Sequence, residues 1–195
     1  MRKIAMLSLK KQQKLMKKAR EYMAKNPMRY WYDWEFDENG QTVKPISVGM
    51  VSEDGRELYL VNETYFKQIE KRLVRPNPWV IENVIQKITP ETRAHYGRAL
   101  NNFPDIILKF ISDNGKYRER SEVELWGHFA AYDHLCLAQV FGRMIDLPKP
   151  IPMYTNDDMT IRGLQEPPAR PDYLPEHDAL ADAKFQKLQW EKWSQ

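Results

Sequence analysis

The seven residues YWYDWEF place two acids, Asp33 and Glu35, among five aromatic side chains. Aromatic residues favour β-strands, and a strand points successive side chains to opposite faces. Asp33 and Glu35 therefore project together from one face, while Tyr32, Trp34 and Phe36 occupy the other. Two neighbouring carboxylates repel each other and are costly to bury unpaired. The segment thus predicts a strand with an apolar face and a positive partner beside its two acids.

The order of the predicted elements indicates an α/β fold. Three strand-forming segments, at 29–36, 42–52 and 57–62, are separated by the turn signals DENG and EDGR, which predicts an antiparallel meander. Further elements are expected as helices at 65–73, 80–88 and 105–111, a strand at 123–129, and helices at 132–144 and 176–193. Strands followed by β-α units and a closing helix predict a mixed sheet with helices on both faces.

The N-terminal segment differs in charge from the rest of the chain. Nine of the first 28 residues are Lys or Arg and one is Glu, a charge of +8, which leaves −5 of the total +3 for the remainder. Apolar residues recur there at helical spacing, as Leu15, Met16, Ala19, Tyr22 and Met23. We therefore expect a basic amphipathic helical extension at 1–27 and a main domain at 28–195. The extension is either a packed helix with a solvated face or a contact for nucleic-acid phosphates.

Composition excludes several protein classes. The 195 residues fit one domain, and 42% hydrophobic residues are enough to form a core. No apolar run approaches the roughly 18 residues that a membrane span needs. Cys136 is the single cysteine, so no internal disulfide can form, which is typical of a reducing compartment. We expect a cytoplasmic protein.

Two later segments supply candidate partners for the acids of the first strand. Asp133, in ELWGHFAAYDHL, follows a predicted strand at the start of a helix, and Asp182, in PEHDALADAKF, lies near the start of the last helix. Carboxylate oxygens are the preferred ligands of hard cations such as Mg²⁺ and Mn²⁺. His177 precedes Asp182 by five residues and is therefore expected before the first helical turn. Asp178 is either a rival ligand or an acid favoured by the helix dipole.

The segments DWEF, GHFAAYDH and HDALADA, in this order and spacing, resemble the three motifs of the DEDDh branch of the DnaQ-like, RNase H-fold 3'-to-5' exonucleases. Within that branch the chain is most similar to the small bacterial and phage exoribonucleases related to RNase T. The resemblance covers residues 28 to about 190 and includes the flanking segment ISVGMVSEDGRELY. It implies an RNase H-like fold and a metal-dependent enzyme that releases nucleoside 5'-monophosphates from RNA 3' ends.

The resemblance also implies roles for individual residues. Asp33, Glu35, Asp133 and Asp182 match the acids that bind two divalent ions, Mg²⁺ or Mn²⁺. His177 matches the histidine that takes the proton of the attacking water. Histidine suits this role because it titrates near neutral pH. Of the other histidines, none precedes a helical acid in this way.

The candidate substrate contacts are Phe36, Trp34 and Phe129. Phe36 matches the position from which relatives press an apolar side chain on the terminal bases, although it is equally compatible with a core position. Trp34 and Phe129 depart from the pattern, because relatives often have Thr, Leu or Val at the first position and Asn at the second. The departures leave the ligand set intact, but Phe129 puts substrate positioning in question.

The resemblance implies single-stranded RNA or RNA 3' overhangs as substrate, and a homodimer. Two other interpretations stay open at this point. One is a DNA 3'-to-5' exonuclease, and the other is a regulatory nucleic-acid-binding factor of the same fold with little turnover. The complete set of acids and His177 argues against the second.

Overall fold

The computed structural model of the protein describes residues 26–194 together with Lys14, Lys17, Lys18 and Glu21. These four N-terminal residues are helical and exposed, and Lys17 Nζ lies 4.0 Å from a carboxylate oxygen of Glu21. Asn26 and Pro27 are not helical, and the remaining residues of the expected basic helix at 1–27 lie outside the described residues. Its amphipathic face and its separation from the main domain therefore stay predictions.

The described elements follow the predicted order. The strands are β1 Met28–Glu38, β2 Val43–Ser52, β3 Glu57–Asn62, β4 Gly97–Arg98, β5 Val123–Gly127 and β6 Asn156–Asp157. The α-helices are α1 Glu63–Glu70, α2 Pro78–Asn83, α3 Pro90–Tyr96, α4 Phe103–Ser112, α5 Ala131–Phe141, α6 Met159–Arg162 and α7 Ala179–Trp193. Short 3-10 segments lie at Ile85–Lys87, Leu100–Asn102, Arg120–Glu122 and Met144–Asp146.

One mixed sheet organises the fold, with the strand order β4-β3-β2-β1-β5-β6. β1, β2 and β3 pair antiparallel, which confirms the predicted meander, and β5 pairs parallel with β1. β1 therefore has a neighbour on each side. The register of β1 and β2 shifts between Glu35 and Phe36, directly after the second acid.

The two faces of β1 have different surroundings, as its alternating pattern predicts. Tyr30, Tyr32 and Trp34 are buried in a cluster that includes the apolar residues of α4 and α5. On the opposite face, the ring of Trp31 meets that of Trp190 in α7, with centroids 5.4 Å apart. Asp33 and Glu35 are therefore on the face that α7 covers.

Gly49 permits α7 to approach the sheet closely. This residue pairs with Asp33 in the β1–β2 ladder. A Cβ atom at position 49 would lie 2.2 Å from the carbonyl oxygen of Ala179, the first residue of α7. Neither the added Cβ atom nor the carbonyl oxygen can be moved by rotating a side chain, so only a shift of the backbone could relieve the overlap. The absence of a side chain at Gly49 thus sets the distance between α7 and the strand that bears the acids.

Several boundaries differ from the sequence prediction for identifiable reasons. The helix expected to reach residue 144 ends at Phe141, because Gly142 follows with a φ of +118°. The strand expected to reach Phe129 ends at Gly127. α3 was not predicted, although Thr89 caps it and Pro90 occupies its first turn. Within the described residues, no helix is long and apolar enough to cross a membrane.

Candidate active site

Three of the four predicted ligands converge in the structure. Asp33, Glu35 and Asp182 each offer a carboxylate oxygen, and these atoms lie within 4.8 Å of one another. The first two come from the α7-facing side of β1, and the third comes from the first turn of α7. Period-two alternation and the close approach of α7 at Gly49 together bring the three acids to one point.

The charged forms of these three carboxyl groups are strongly disfavoured. Burial raises the pKa of Asp33 well above its usual range, and the charges of Asp133 and Glu35 raise it further. Burial, followed by the charge of Asp182, raises the pKa of Glu35 to about 8. Asp33 accepts a hydrogen bond from Gln186 Nε2 at 2.9 Å. In the described part of the chain, the carboxylate of Glu35 accepts no hydrogen bond and has no ion pair.

The residues present therefore fit a bound cation. Hard oxygen ligands in this number suit Mg²⁺ or Mn²⁺. Burial first and mutual repulsion second raise the pKa values of these carboxyl groups, and a bound cation would offset both effects. The unpaired carboxylate of Glu35 is the observation that most directly indicates a missing positive partner.

Asp133, the fourth predicted ligand, is not among the three carboxylates that lie within 4.8 Å of one another. It is buried in the first turn of α5, and its Oδ1 accepts a hydrogen bond from the backbone N–H of Trp34 at 2.7 Å. Burial raises its pKa to about 7. Its charge is the largest electrostatic contribution to the raised pKa of Asp33, so the two carboxylates are neighbours across β1. Backbone hydrogen bonds from Trp34 and from Asp133 itself oppose this rise in the pKa of Asp133.

His177 lies directly before α7, as predicted, in a left-handed backbone conformation with a φ of +56°. Its ring packs edge-on against that of Trp79, with centroids 4.9 Å apart. Burial raises the pKa of Asp182, and Arg170 and then His177 oppose that rise, which indicates that His177 lies near Asp182. Asp178 caps α7, because its Oδ1 accepts from the N–H of Ala181 at 2.9 Å. This finding supports a helix-terminal role for Asp178.

The loop before His177 is held by two cationic side chains. Arg170 Nε donates to the carbonyl of Leu174 at 2.7 Å, and Arg170 Nη2 donates to the carbonyl of Pro175 at 2.8 Å. Lys87 Nζ donates to the carbonyl of Glu176 at 2.9 Å. Three consecutive carbonyls before His177 are thus bonded to cations. The guanidinium of Arg170 also donates to Asp182 Oδ1 at 2.5 Å, so it joins the loop to a candidate ligand.

A cavity of about 180 Å³ adjoins the acids. Its lining residues are Asp33, Asp182, His128, Arg170, Phe185, Gln186 and Gln189. His128 Nδ1 lies 2.8 Å from Oδ1 of Asp158, which is fully buried, and this contact raises the pKa of His128. Sequence reasoning missed Arg170, Asp157 and Asp158. The only signal for the latter two is the pair of acids before a short helix in NDDMTI.

The neighbouring Asp157 stabilises the turn into α5. Its Oδ1 accepts from the N–H of Met159 at 3.0 Å, and its Oδ2 accepts from the N–H of Ala130 at 3.1 Å. Phe129, within this turn, has a φ of +53° and a side chain that is 67% exposed. A bulky residue in the left-handed region stores strain, which is frequent at functional sites. The ring of Phe129 is therefore accessible to a ligand.

The structure does not support Trp34 as a substrate contact through its side chain. The indole is 2% exposed and lies beside Phe103 in the core, with ring centroids 6.2 Å apart. Phe36 is partly buried and stacks on the half-exposed ring of Tyr132, with centroids 5.2 Å apart. It also lines a cavity of about 300 Å³ together with Glu38, Asn77, Trp79 and Val80. The alternation of β1 explains the result for Trp34, since its face is the core face.

The other histidines are placed away from the acids. His134 Nδ1 lies 2.9 Å from the hydroxyl of Thr155, which also contacts the Tyr32 hydroxyl, and burial lowers the pKa of His134. His95 is exposed in the last turn of α3, and its ring contacts that of Tyr96. Neither is associated with the group of three carboxylates.

Comparison with known proteins places this geometry in a family. Residues 28–193 match the family model described as the 3'-5' exoribonuclease Rv2179c-like domain. Two relatives from strains of Mycobacterium tuberculosis, the 3'-5' exoribonucleases Rv2179c and MT2234.1, are 35% identical over 162 residues. The alignment covers 82% of this chain and 89% of each relative.

A solved structure confirms the fold. Pop2p of S. pombe, in a form bound to Mg²⁺ and Mn²⁺, matches with a TM-score of 0.57 at 15% identity. The match covers 93% of this chain and 89% of Pop2p. The six-stranded mixed sheet with flanking helices is accordingly the RNase H-like fold expected from the sequence.

Proposed function

The chain belongs to the Rv2179c-like 3'-5' exoribonuclease family, and on this premise we propose that it hydrolyses phosphodiester bonds from the 3' ends of RNA, releasing nucleoside 5'-monophosphates. The observation that carries the proposal is the convergence of Asp33, Glu35 and Asp182 within 4.8 Å, with Glu35 lacking a partner in the described chain. A phosphodiester is anionic, so its cleavage needs positive charge at this point.

Asp33, Glu35, Asp133 and Asp182 are proposed to hold two divalent ions, Mg²⁺ or Mn²⁺. Bound ions supply charge neutralisation and lower the pKa of a bound water. The Trp34 N–H donates to Asp133 Oδ1 at 2.7 Å and so orients this carboxylate beside β1. Pop2p, which has the same fold, was solved with Mg²⁺ and Mn²⁺.

His177 is proposed as the general base that removes a proton from the attacking water. Its position directly before α7 places the imidazole near Asp182, and the edge contact with Trp79 limits its rotation. The bonds of Arg170 and Lys87 to the preceding carbonyls hold its backbone. A proton-transfer group needs this kind of positioning, because the proton moves over a hydrogen-bond distance.

The terminal nucleobase is proposed to enter the 300 Å³ cavity between Phe36 and Trp79. Phe36 follows Glu35 along β1, and Trp79 contacts His177, so the cavity adjoins the site of cleavage. Stacking on aromatic side chains tolerates any base, which suits an exonuclease. The exposed ring of Phe129 is a second candidate contact.

RNA is proposed as the substrate, in preference to DNA, because the family and the relatives named above are exoribonucleases. The homodimer expected from the sequence resemblance stays a prediction, to be checked by sedimentation. A cytoplasmic location is likewise a proposal, which rests on the single, buried Cys136.

The test is a comparison of end-labelled RNA and DNA of equal sequence with Mg²⁺, with Mn²⁺ and with EDTA. We expect stepwise shortening of RNA from the 3' end, release of 5'-monophosphates, and no reaction with EDTA. Binding without shortening in either metal would identify a nucleic-acid-binding factor instead. Faster shortening of DNA would identify a DNA exonuclease.

A further inference from the structure

The α1–α2 loop, residues 71–77 with the sequence KRLVRPN, is basic and exposed. Lys71, Arg72 and Arg75 are all exposed. Among the arginines of residues 26–194, only Arg72 and Arg75 have no side-chain hydrogen bond, ion pair or ring contact. Each of the others bonds to a carboxylate or a carbonyl, as in the pairs Arg93–Glu63 and Arg120–Leu147. The positive charge of this loop is therefore uncompensated within the described chain.

A cavity of about 490 Å³ lies at this loop. Its walls combine the apolar side chains of Ile69, Val74, Pro76 and Ile81 with the two arginines. Single-stranded nucleic acids present flat apolar bases and anionic phosphates in alternation. Apolar walls bordered by guanidinium groups match both features, because arginine binds phosphate oxygens through two parallel hydrogen bonds.

This cavity and the 300 Å³ cavity at Phe36 are lined by one stretch of chain. The chain from Val74 to Ile81 lines two cavities in succession: Val74 and Ile81 border the larger one, while Asn77 and Trp79 border the 300 Å³ cavity at Phe36. Trp79 in turn contacts His177. The two cavities therefore share one segment of chain, and that segment contacts His177 through Trp79.

The position of the loop relative to β1 is fixed by a third acid on that strand. Asp37 is buried, and its Oδ1 accepts from the N–H of Asn77 at 3.2 Å while its Oδ2 accepts from the Tyr65 hydroxyl at 2.9 Å. Asn77 Oδ1 then caps α2 by accepting from the N–H of Trp79 at 2.9 Å. The two cavities are thus attached to the strand that bears Asp33 and Glu35.

We propose that Arg72 and Arg75, with the apolar walls at Val74 and Ile81, bind the RNA upstream of the terminal nucleotide. The inference extends the proposed function, because it assigns to the same substrate a second contact that takes no part in the chemistry. Phosphates held there are not cleaved, so the site raises affinity and leaves the reaction at the carboxylates unchanged. Its consequence is a preference for substrates long enough to reach the loop.

The test replaces both guanidinium groups by Gln, as R72Q/R75Q. The matched control, K109Q/K149Q, removes one positive charge from the last turn of α4 and one that pairs with Glu119, and neither lysine lines the cavities described above. We expect the wild type and control to show kcat/KM rising with RNA length. The double variant should lose most of this rise, and its KM for long RNA should increase by about tenfold or more. Its salt slope, the slope of log affinity against log salt concentration, should be flatter by about 1.4, as expected for two phosphates on a single strand.

Turnover of the p-nitrophenyl ester of uridine 5'-monophosphate should be equal in all three proteins, because this compound cannot reach the loop. R72K/R75K should recover the salt slope, since lysine retains the charge. Unchanged length dependence and salt slope in R72Q/R75Q would overturn the proposal. So would parallel loss of ester hydrolysis, which would mean that the loop shapes the catalytic site.

Binding measured without turnover separates this inference from the proposed function. Anisotropy of labelled RNA, recorded with Asp33→Asn protein, reports affinity whether or not the enzyme cleaves RNA. Weaker binding on adding R72Q/R75Q supports the upstream site even if activity is absent. Equal binding contradicts it even if the enzyme is an exoribonuclease. Tighter binding of a labelled acidic peptide than of RNA, lost in R72Q/R75Q, would identify a protein partner and likewise overturn the proposal.

Discussion

Arg170 Nη2 donates to Asp182 Oδ1 at 2.5 Å, and the same guanidinium bonds to the carbonyls of Leu174 and Pro175 in the loop before His177. One side chain thus joins a candidate metal ligand to the loop of the candidate base. It also occupies an oxygen that a metal ion would use. The contact therefore has two opposing effects, since it holds the loop and competes with the metal.

Removal of Arg170 separates these effects. We expect Arg170→Ala to bind Mn²⁺ more tightly by calorimetry, because Asp182 loses a competing cation, while kcat falls by about tenfold or more as His177 loses its support. Arg170→Lys should recover only part of kcat, because an ammonium cannot reproduce the forked bonds. Weaker Mn²⁺ binding in the Ala variant would mean that Arg170 instead holds Asp182 in its ligating position.

Asp33 is expected to be indispensable for turnover but not for folding. Asp33→Ala should lower kcat by about three orders of magnitude or more, because it removes one of the carboxylates that would hold the proposed ions. The melting temperature of the metal-free variant should rise, since a buried carboxylate repelled by Asp133 and Glu35 is gone. Asp105→Asn, in the first turn of α4, serves as the control and should retain wild-type values. Near-normal activity of Asp33→Ala in Mg²⁺ would rule out this ligand set.

His177 is tested best by Asn, which tolerates the left-handed backbone that His177 adopts. His177→Asn should lower kcat by about 100-fold or more while Mn²⁺ affinity is retained, because the proposed role of His177 is to move a proton and not to hold a metal ion. His95→Ala, which removes an exposed histidine, should have no effect. Parallel loss of Mn²⁺ affinity and turnover would make His177 a ligand.

The metal-free protein should become less stable as pH rises. Burial raises the pKa of Glu35 to about 8 and that of Asp133 to about 7, so the native state retains protons that the unfolded chain has already released. The native state then binds more protons than the unfolded state, and the free energy of unfolding falls between about pH 5 and pH 8. Thermal melts should show this decrease in stability, and Mg²⁺ should reverse it most strongly at the upper end of this pH range. Glu35→Gln should flatten the metal-free profile, and a flat wild-type profile would contradict the prediction.

Deletion of residues 1–27 tests the basic extension. We expect hydrolysis of the small nucleotide ester to be nearly unchanged, while binding of long RNA weakens and its salt slope flattens, because up to +8 of charge is lost. Equal salt slopes for the full-length and truncated proteins would show that the extension does not touch RNA. Loss of ester hydrolysis would show that it belongs to the fold or to a dimer contact.

The sequence predicted the elements of the site that follow from local periodicity. Asp33 and Glu35 share a face because strands alternate, and Asp178 lies at the start of α7 as its position before an alanine-rich helix indicates. The same alternation places Trp34 in the core, so the prediction of a substrate contact there conflicted with the pattern that placed the acids.

Contacts made by irregular segments could not be predicted in this way. Arg170 lies in EPPARP, where no period relates it to Asp182, twelve residues further along the chain. β6 has two residues, too few for any alternation to reveal that Asp158 would support His128. Asp37 has the spacing of a third acid after Asp33 and Glu35, but its partners Tyr65 and Asn77 come from later elements. Tertiary packing decides each of these roles.

The close contact between Gly49 and α7 makes position 49 as necessary for activity as the proposed catalytic residues. Even a methyl group there would overlap the carbonyl of Ala179 and push α7 outward, separating Asp182 from Asp33 while both remain chemically intact. A genetic screen for loss of activity should therefore recover substitutions at 49 alongside those at the carboxylates. In such a screen, loss of activity would not imply that the altered residue contacts the substrate. Position 49 would be required for activity only because it has no side chain.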